Sequence, residues 1–270
     1  MELDHGAAIV TGAAGGIGSV IARRLTAAGM SVVMADLDAT RLESERASVL
    51  GAYPDARVVA VRGDVGDTAH HADLVDAAES LGGLRLAVLN AGVSLQGLSW
   101  ELPLEQWELT TRVNYWGVVH GLRAALSTMV PRGDGWVVAV SSGAGLVATP
   151  GMAPYVATKH AVVGFMESTH HELARIGSPV GVGHLPGEHR HRHAGPHTRC
   201  AVSRRGETDP AHREVVATLS STIRSGVEAG ADPATVADAL CDGVAAEQFW
   251  ILPQPELAWA DRSHTAAGRG

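Results

Sequence analysis

Short runs of β-branched residues alternate along the 270-residue chain with longer, alanine-rich stretches of helical pattern. The early runs are almost wholly apolar, which is typical of parallel strands covered by helices on both faces. This alternation predicts an α/β fold: one domain with a doubly wound, Rossmann-type parallel sheet of about seven strands. The predicted strands are 7–11, 31–35, 57–61, 86–90, 136–140, 180–183 and 249–252. The predicted helices lie near 18–28, 40–50, 70–81, 103–130, 155–176 and 211–246.

Composition excludes several classes of protein. A formal net charge of -8 argues against a nucleic-acid partner, whose phosphates require a basic surface. No window approaches the roughly 18 apolar residues of a membrane span, and the N-terminus lacks a signal-peptide pattern. Cys200 and Cys241 are too few for a disulfide framework. We therefore expect a cytoplasmic protein with no nucleic acid and no membrane among its partners.

The glycine-rich run TGAAGGIG, residues 11–18, lies between the first predicted strand and the first helix. Gly12, Gly16 and Gly18 allow a tight turn, and backbone N–H groups there can approach a pyrophosphate. Asp36 ends the second strand, where a carboxylate can accept the ribose hydroxyls and repel a 2'-phosphate. No Lys or Arg lies inside the loop or directly after Asp36, which favours NAD over NADP. The alternative is that Asp36 only caps the turn DLDAT.

Lys159 is the single lysine of the chain, beside 20 arginines among the 21 basic residues. Tyr155 precedes it by four residues, so both side chains lie on one face of a helix. A phenol has a pKa near 10, and a nearby ammonium favours its anionic form. The pair therefore predicts a proton donor and acceptor. Ser142, at the end of the fifth strand, can hold the same substrate oxygen.

At these motifs the sequence resembles the short-chain dehydrogenase/reductase family over nearly its whole length. The family's catalytic Asn, Ser, Tyr and Lys match Asn114, Ser142, Tyr155 and Lys159. Its cofactor motifs match Thr11, Gly12, Gly16, Ile17 and Gly18, then Asp36 and Leu37, Asp64 and Val65, Asn90, Ala91 and Gly92, and Pro186 and Gly187. Tyr155 and Lys159 also contact the cofactor in the family. Both asparagines and the only lysine of the chain fall on family motifs.

The resemblance implies an NAD-dependent oxidoreductase that moves a hydride between nicotinamide and a secondary alcohol or ketone. Tyr155 would exchange the proton, and Lys159 would lower the tyrosine pKa and hold the nicotinamide ribose. Ser142 would position the substrate oxygen, and Asn114 would hold a water. It further implies a small-molecule substrate, no metal, and a homodimer or homotetramer. Residues 1–257 would form the dinucleotide-binding domain, with a substrate loop at about 184–212 and a tail at 258–270.

Apolar loops after the fourth and fifth strands predict a hydrophobic substrate; their larger residues are Leu95, Leu98, Leu146, Val147 and Met152. Two alternatives stay open. One is an NADPH-dependent 3-oxoacyl-type reductase, against which Asp36 argues. The other is a non-catalytic nucleotide-binding homologue with an impaired substrate loop. The histidine pairs 70–71 and 170–171 are interpreted as solvated helix faces, and Trp100, Trp107 and Trp116 as packing or subunit contacts.

The stretch HLPGEHRHRHAG, residues 184–195, carries histidines at alternate positions 189, 191 and 193. Alternate positions share one strand face at best, and a zinc site needs three or four ligands, so we predict no metal there. The alternative is a low-complexity His/Arg tract. The resemblance calls for a threonine shortly after Pro186–Gly187, but the first is Thr198. One set of codons for 187–195, read one base later, encodes Ala-Asn-Ile-Asp-Thr-Asp-Met-Pro. We therefore hypothesise a shifted reading frame over roughly 184–203.

Overall fold

The computed structural model describes residues 1–186, 201–202 and 210–253. Within them the strands are β1 (Ala7–Thr11), β2 (Ser31–Asp36), β3 (Val58–Arg62), β4 (Leu84–Leu89), β5 (Leu95–Gln96), β6 (Trp136–Val140), β7 (Gly181–Leu185) and β8 (Ala201–Val202). The helices are α1 (Gly16–Ala28), α2 (Ala39–Ala52), α3 (Thr68–Ser80), α4 (Leu104–Thr111), α5 (Gly117–Arg132), α6 (Ala153–Arg175), α7 (Pro210–Ala229) and α8 (Pro233–Ala245). The predicted domain end at 257 and the tail 258–270 lie outside the described residues.

The main sheet is parallel, with the strand order β3-β2-β1-β4-β6-β7. Helices α1, α2 and α8 cover one apolar core, and α3, α5 and α6 cover the other. The predicted α/β class is therefore confirmed. The strand order reverses between β1 and β4, so a crevice opens beside the carboxyl ends of these two strands. The predicted site residues follow the carboxyl ends of these two strands and of their neighbours in the sheet.

The described sheet has six strands, so the prediction of about seven was too high. Within the described part of the chain, the stretch 249–252 makes one parallel bridge, between Trp250 and His184 of β7. His184 N donates to Phe249 O over 2.7 Å, and Ile251 N donates to His184 O over 3.0 Å. The next two donors of such a ladder would come from Pro186 and Pro253, and neither has an N–H. The seventh strand therefore ends after one rung.

Two long predicted helices are each divided. Between α4 and α5 the backbone widens into a π-helical turn, Arg112–Trp116. The stretch 211–246 breaks into α7 and α8 because Asp232 caps a new helix, accepting from Ala234 N over 2.9 Å, with Pro233 in the first helical position. Outside these divisions both stretches are mainly helical, as predicted.

The prediction that His70 and His71 form a solvated face was wrong. Both are buried, and the His71 ring nitrogen Nε2 lies 2.8 Å from Val65 O. His70 and His71 precede the core residues Leu74 and Val75 by four positions, so they continue the buried stripe of α3. The polar pair therefore packs beneath the loop after β3.

Candidate active site

The glycine loop joins β1 to α1 at the point where the sheet order reverses. Gly12 and Gly16 have φ of +68° and +57°, which favours glycine. A Cβ on Gly18 would lie 2.2 Å from Gly12 O, so no side chain fits there. The first turn of α1 starts at Gly16 and includes Ile17, so its free N–H groups face the crevice. The loop has the shape that an approaching pyrophosphate requires.

Thr11 and Asn90 join the ends of β1 and β4. Thr11 Oγ1 accepts from the backbone N of Asn90 over 3.0 Å and of Ala91 over 3.1 Å. In return Asn90 Nδ2 donates to Thr11 O over 2.9 Å. A Cβ on Gly12 would lie 2.9 Å from Ala91 Cα, so the two loops are in close contact. These bonds hold the floor of the crevice rigid.

Asp36, at the end of β2, points back at the glycine loop. Its Oδ2 accepts from Ala14 N over 3.1 Å, and its Oδ1 accepts from Asp38 N over 3.0 Å. The following residue, Leu37, is exposed. The carboxylate is therefore oriented before any ligand arrives, at the position predicted for the ribose.

Arg41 is a residue near this position that the sequence reasoning missed. It lies in the first turn of α2, and its Nη2 is 2.6 Å from where a Cβ on Gly15 would lie. Within the described part of the chain its guanidinium makes no ion pair. The prediction that no base follows Asp36 directly holds for the sequence, but the turn of α2 brings a cation to the loop. An arginine five residues past the acid, on a helix starting there, was the available signal.

Asp64 follows β3, and both of its carboxylate oxygens are bonded. Oδ1 accepts from Gly66 N over 2.8 Å, and Oδ2 accepts from Arg112 Nη1 at close range. Burial raises the pKa of the Asp64 carboxyl, but the bonds from Arg112 and Gly66 outweigh it and hold the pKa below its usual value. Val65 packs against the start of α5, where a Cβ on Gly117 would lie 2.9 Å from Val65 Cγ2.

Asn114 is fully buried in the π-helical turn and holds the end of the loop after β4. Its Oδ1 accepts from Val93 N over 2.8 Å, and its Nδ2 donates to Val93 O over 2.9 Å. Nδ2 also lies 3.2 Å from Thr158 Oγ1 on α6. A π-helical turn inside a helix is frequent at functional sites, because it redirects one side chain.

Tyr155 and Lys159 lie on one face of α6, as predicted. Lys159 Nζ is 5.5 Å from the centre of the Tyr155 ring and donates to Val140 O over 2.9 Å. Ser142 follows β6, and its Oγ accepts from Ala144 N over 3.2 Å. The four predicted catalytic residues thus follow or face the carboxyl ends of neighbouring strands β4 and β6.

Lys159 is almost wholly buried, and burial lowers its pKa to about 8. At neutral pH the ammonium is therefore still largely protonated. A positive charge in a poorly solvated place acts strongly on its neighbours, because little water screens it. Gly92 lies beside it: a Cβ there would be 3.4 Å from Asn114 Oδ1 and 3.7 Å from Lys159 Nζ.

His184, which the sequence reasoning left inside an unexplained segment, is buried completely in β7. Among the described residues neither of its ring nitrogens has a hydrogen-bond partner. Burial, and then the charge of Lys159, lower its pKa to about 3, so the ring is neutral at physiological pH. The Trp250 ring stands edge-on to it at 5.1 Å. Pro186 is buried, while Gly187 and the histidines 189, 191 and 193 lie outside the described residues.

Helix α7 forms the wall that faces the predicted substrate loops. His212 Nδ1 lies 2.5 Å from Glu101 Oε1, and the Trp100 ring stands edge-on to His212 at 6.3 Å. Leu219 and Ile223 pack over Gly151, at 3.3 Å and 3.8 Å from where its Cβ would lie. Leu95 and Met152 are buried near these loops, whereas Val147 is exposed. The wall is therefore mainly apolar, with one polar contact, between His212 and Glu101.

A family profile described as short chain dehydrogenase matches residues 6–185. A CLA biosynthesis dehydrogenase/reductase of Lactiplantibacillus plantarum is 31% identical over 253 residues, 92% of this chain and 87% of that protein. A 2-(R)-hydroxypropyl-CoM dehydrogenase of Xanthobacter autotrophicus is 37% identical over 174 residues, 63% of this chain and 69% of its own.

Solved structures agree in fold. The chain matches a short chain dehydrogenase/reductase of Burkholderia phymatum, crystallised in complex with NAD, with a TM-score of 0.84 and 29% identity. The match covers 97% of this chain and 93% of that one. None of the described helices is long and apolar enough to cross a membrane. With its profile match, its relatives and its fold, the chain belongs to the short-chain dehydrogenase family.

Proposed function

We propose that the protein is an NAD-dependent oxidoreductase acting on a secondary alcohol or ketone, with Tyr155 as acid and base. One observation carries the proposal: a buried, charged Lys159 lies under Tyr155, beside Gly92 and the Asn114 turn. A tyrosine paired with an ammonium can exchange a proton with a hydroxyl near neutral pH, which the unperturbed phenol cannot do well.

The residues present fit a dinucleotide. Gly12 and Gly18 let the loop pack tightly against its own backbone and Asn90, Gly16 leaves open space at the start of α1, and α1 offers its N-terminal N–H groups. The holding residues are those of the matched motifs: Gly12, Gly16, Ile17, Gly18, Asp36, Leu37, Asp64, Val65, Asn90, Ala91, Gly92, Tyr155, Lys159, Pro186 and Gly187. When bound, NAD supplies the acceptor or donor of the hydride.

The chain's own residues handle the proton and the geometry. Tyr155 removes the alcohol proton in oxidation and donates one in reduction. Lys159 stabilises the phenolate, and Ser142 hydrogen-bonds the substrate oxygen. Asn114 holds Val93 through two bonds and anchors a water on the path from Lys159 to solvent. General acid–base catalysis of this kind contributes roughly 10²–10⁴ in rate.

The preference for NAD rests on Asp36, whose carboxylate repels a 2'-phosphate. Arg41 favours the second candidate, an NADPH-dependent 3-oxoacyl-type reductase, because its guanidinium lies at the same loop. Fluorescence titration with NADH and with NADPH separates the two. Tighter binding of NADPH would replace the first proposal by the second.

The substrate is proposed as a hydrophobic alcohol or ketone. The apolar contacts of Leu219 and Ile223 with the loop at Gly151 support the hydrophobic class. The name of the Xanthobacter relative supports only a secondary alcohol. The test is turnover with a panel of secondary alcohols and NAD. Tyr155→Phe should lose turnover, and Tyr53→Phe at the end of α2 serves as the control. A protein that binds NAD but turns over no substrate would be the non-catalytic homologue.

We also propose a cytoplasmic homodimer or homotetramer. Leu109 and Trp116 expose apolar surface on the long segment formed by α4 and the π-helical turn. Paired helices across a two-fold axis would cover it. Light scattering that gives a stable monomer would refute the oligomer.

A further inference from the structure

We propose that Arg112 is a positioning residue for adenine recognition: it orients the Asp64 carboxylate so that it can accept a hydrogen bond from the amino group of adenine. The inference rests on the proposed binding of NAD. The observation behind it is the contact of Arg112 Nη1 with Asp64 Oδ2, across two different elements of the fold. No motif of the sequence pointed to Arg112.

The Asp64 side chain is held from two sides. Gly66 N, in its own loop, donates to Oδ1 over 2.8 Å, and Arg112 donates to Oδ2 from the π-helical turn. A carboxylate offers about four acceptor positions, so two remain for a ligand. The carboxylate is about one-third exposed and so remains open to a ligand from the crevice. An exocyclic amino group is a donor that suits such an acceptor.

The path of the Arg112 side chain is set by packing. A Cβ on Gly66 would lie 2.8 Å from Arg112 Cγ and 2.9 Å from Nη1, so the arginine crosses directly over this glycine. A larger residue at 66 would push the guanidinium away from Asp64. The contact is thus fixed by packing. An exposed ion pair without such packing contributes little to the free energy of folding.

Arg112 also begins the turn that holds the catalytic end of the site. Asn114, two residues later, is bonded to Val93 and to Thr158. Side chains two positions apart on a helix point to different sides. The same turn therefore directs Arg112 outward to Asp64 and Asn114 inward to Val93. The buried Asn114 thereby keeps the backbone of Arg112 in place.

The pairing of Arg112 with Asp64 predicts that the protein distinguishes purines by the group at position 6. Adenine presents an amino donor there, whereas hypoxanthine presents a carbonyl oxygen that the Asp64 carboxylate repels. The wild type should therefore bind NAD more tightly than nicotinamide hypoxanthine dinucleotide. Without Arg112 the carboxylate loses its orientation, and the ratio of the two dissociation constants should shrink about fivefold, the size expected of a partly exposed ion pair.

The experiment measures dissociation constants of both dinucleotides by calorimetry for the wild type, Arg112→Ala and Arg112→Gln. The glutamine variant keeps the stem that packs over Gly66, so it remains informative if the alanine variant unfolds. Arg123→Ala, an exposed arginine of α5, is the matched control and should leave the ratio unchanged. Asp64→Asn should abolish the effect of Arg112→Ala on the ratio, because the positioned group is gone.

The outcomes separate this inference from the proposed function. Arg112 variants that bind NAD with an unchanged ratio overturn the inference alone. An equal loss for both dinucleotides also overturns it, since Arg112 would then act on the shared phosphates or on the fold. A wild type that binds neither dinucleotide overturns the proposed cofactor, and with it adenine recognition. A narrowed ratio with an unchanged unfolding temperature, partly restored by Arg112→Lys, supports the positioning role.

Discussion

Replacing Lys159 by methionine should abolish turnover and at the same time stabilise the cofactor-free protein at pH 7. Burial lowers the Lys159 pKa from 10.5 to about 8. At about 1.4 kcal/mol per pKa unit, this shift is worth roughly 3 kcal/mol against the folded, protonated protein. Methionine fills a similar volume without charge. It forfeits the hydrogen bond to Val140 O, which offsets about 1 kcal/mol. The net gain expected at pH 7 is about 2 kcal/mol.

The sign of the pH dependence follows from the lowered pKa. Below pH 8 both the folded and the unfolded states carry the proton, so the wild type bears the whole burial cost. Between about pH 8 and pH 10.5 the folded lysine is neutral while the unfolded one is still charged, so wild-type stability rises with pH. The advantage of Lys159→Met should therefore shrink by about 2 kcal/mol between pH 7 and pH 9.5.

The assay is urea unfolding of both proteins, without cofactor, at these two pH values. Both proteins carry Tyr155→Phe, which removes any difference caused by the phenol beside Lys159. Groups that Lys159 does not contact, such as Cys241, contribute equally to both proteins and cancel in the difference. A difference that stays constant from pH 7 to pH 9.5 would refute the reasoning. So would a methionine variant that is less stable at pH 7 than the protein that keeps Lys159.

Tyr155→Phe should lower kcat by roughly 10²–10⁴ while the NAD dissociation constant changes only a few-fold; loss of NAD binding would reveal a structural role. Asp36→Ala should narrow the preference for NAD, and adding Arg41→Ala should then weaken NADP binding; an unchanged preference places the ribose contact elsewhere. His184→Leu should raise the free energy of unfolding by about 1 kcal/mol or more, because it removes two unpartnered nitrogens; lower stability in urea would indicate a buried partner. The shifted-frame hypothesis for 184–203 predicts a gene sequence and an intact mass that differ from the printed chain, and agreement of both in a fully active enzyme would defeat it.

The sheet and the glycine loop could be predicted because their signals are local. Continuous apolar runs identify buried strands. Glycines 12 and 18 lie where a Cβ would collide with neighbouring atoms, and Gly16 has a positive φ that favours glycine. The pairing of Tyr155 with Lys159 needed only the helix period. For such features the residue types and their spacing along the chain are enough to predict the local structure.

What could not be predicted depends on contacts between distant elements. Arg41 and Arg112 look like ordinary surface arginines until α2 and the π-helical turn bring them to Gly15 and Asp64. The burial of His70 depends in the same way on the loop after β3, and that of His71 on α5, both of which pack over α3. Even the single rung in place of the seventh strand needs two prolines, 186 and 253, to meet across a ladder. Apart from the five-residue step from Asp36 to Arg41, spacing along the chain does not indicate these contacts.

His184 differs in kind from the other polar residues in the crevice. Thr11, Asn90 and Asn114 are buried or half-buried, and each is held by at least two hydrogen bonds. His184 is the one residue in the described part of the chain with two buried polar atoms left unpartnered. Such a site costs stability, so selection for folding favours an apolar residue there. The family profile match ends at the next residue, 185. The buried, unpartnered His184 fits a shifted frame that already covers the end of β7, whereas Pro186 and Gly187, which match the family motif as printed, fit a shift that begins after Gly187; the gene sequence decides between the two.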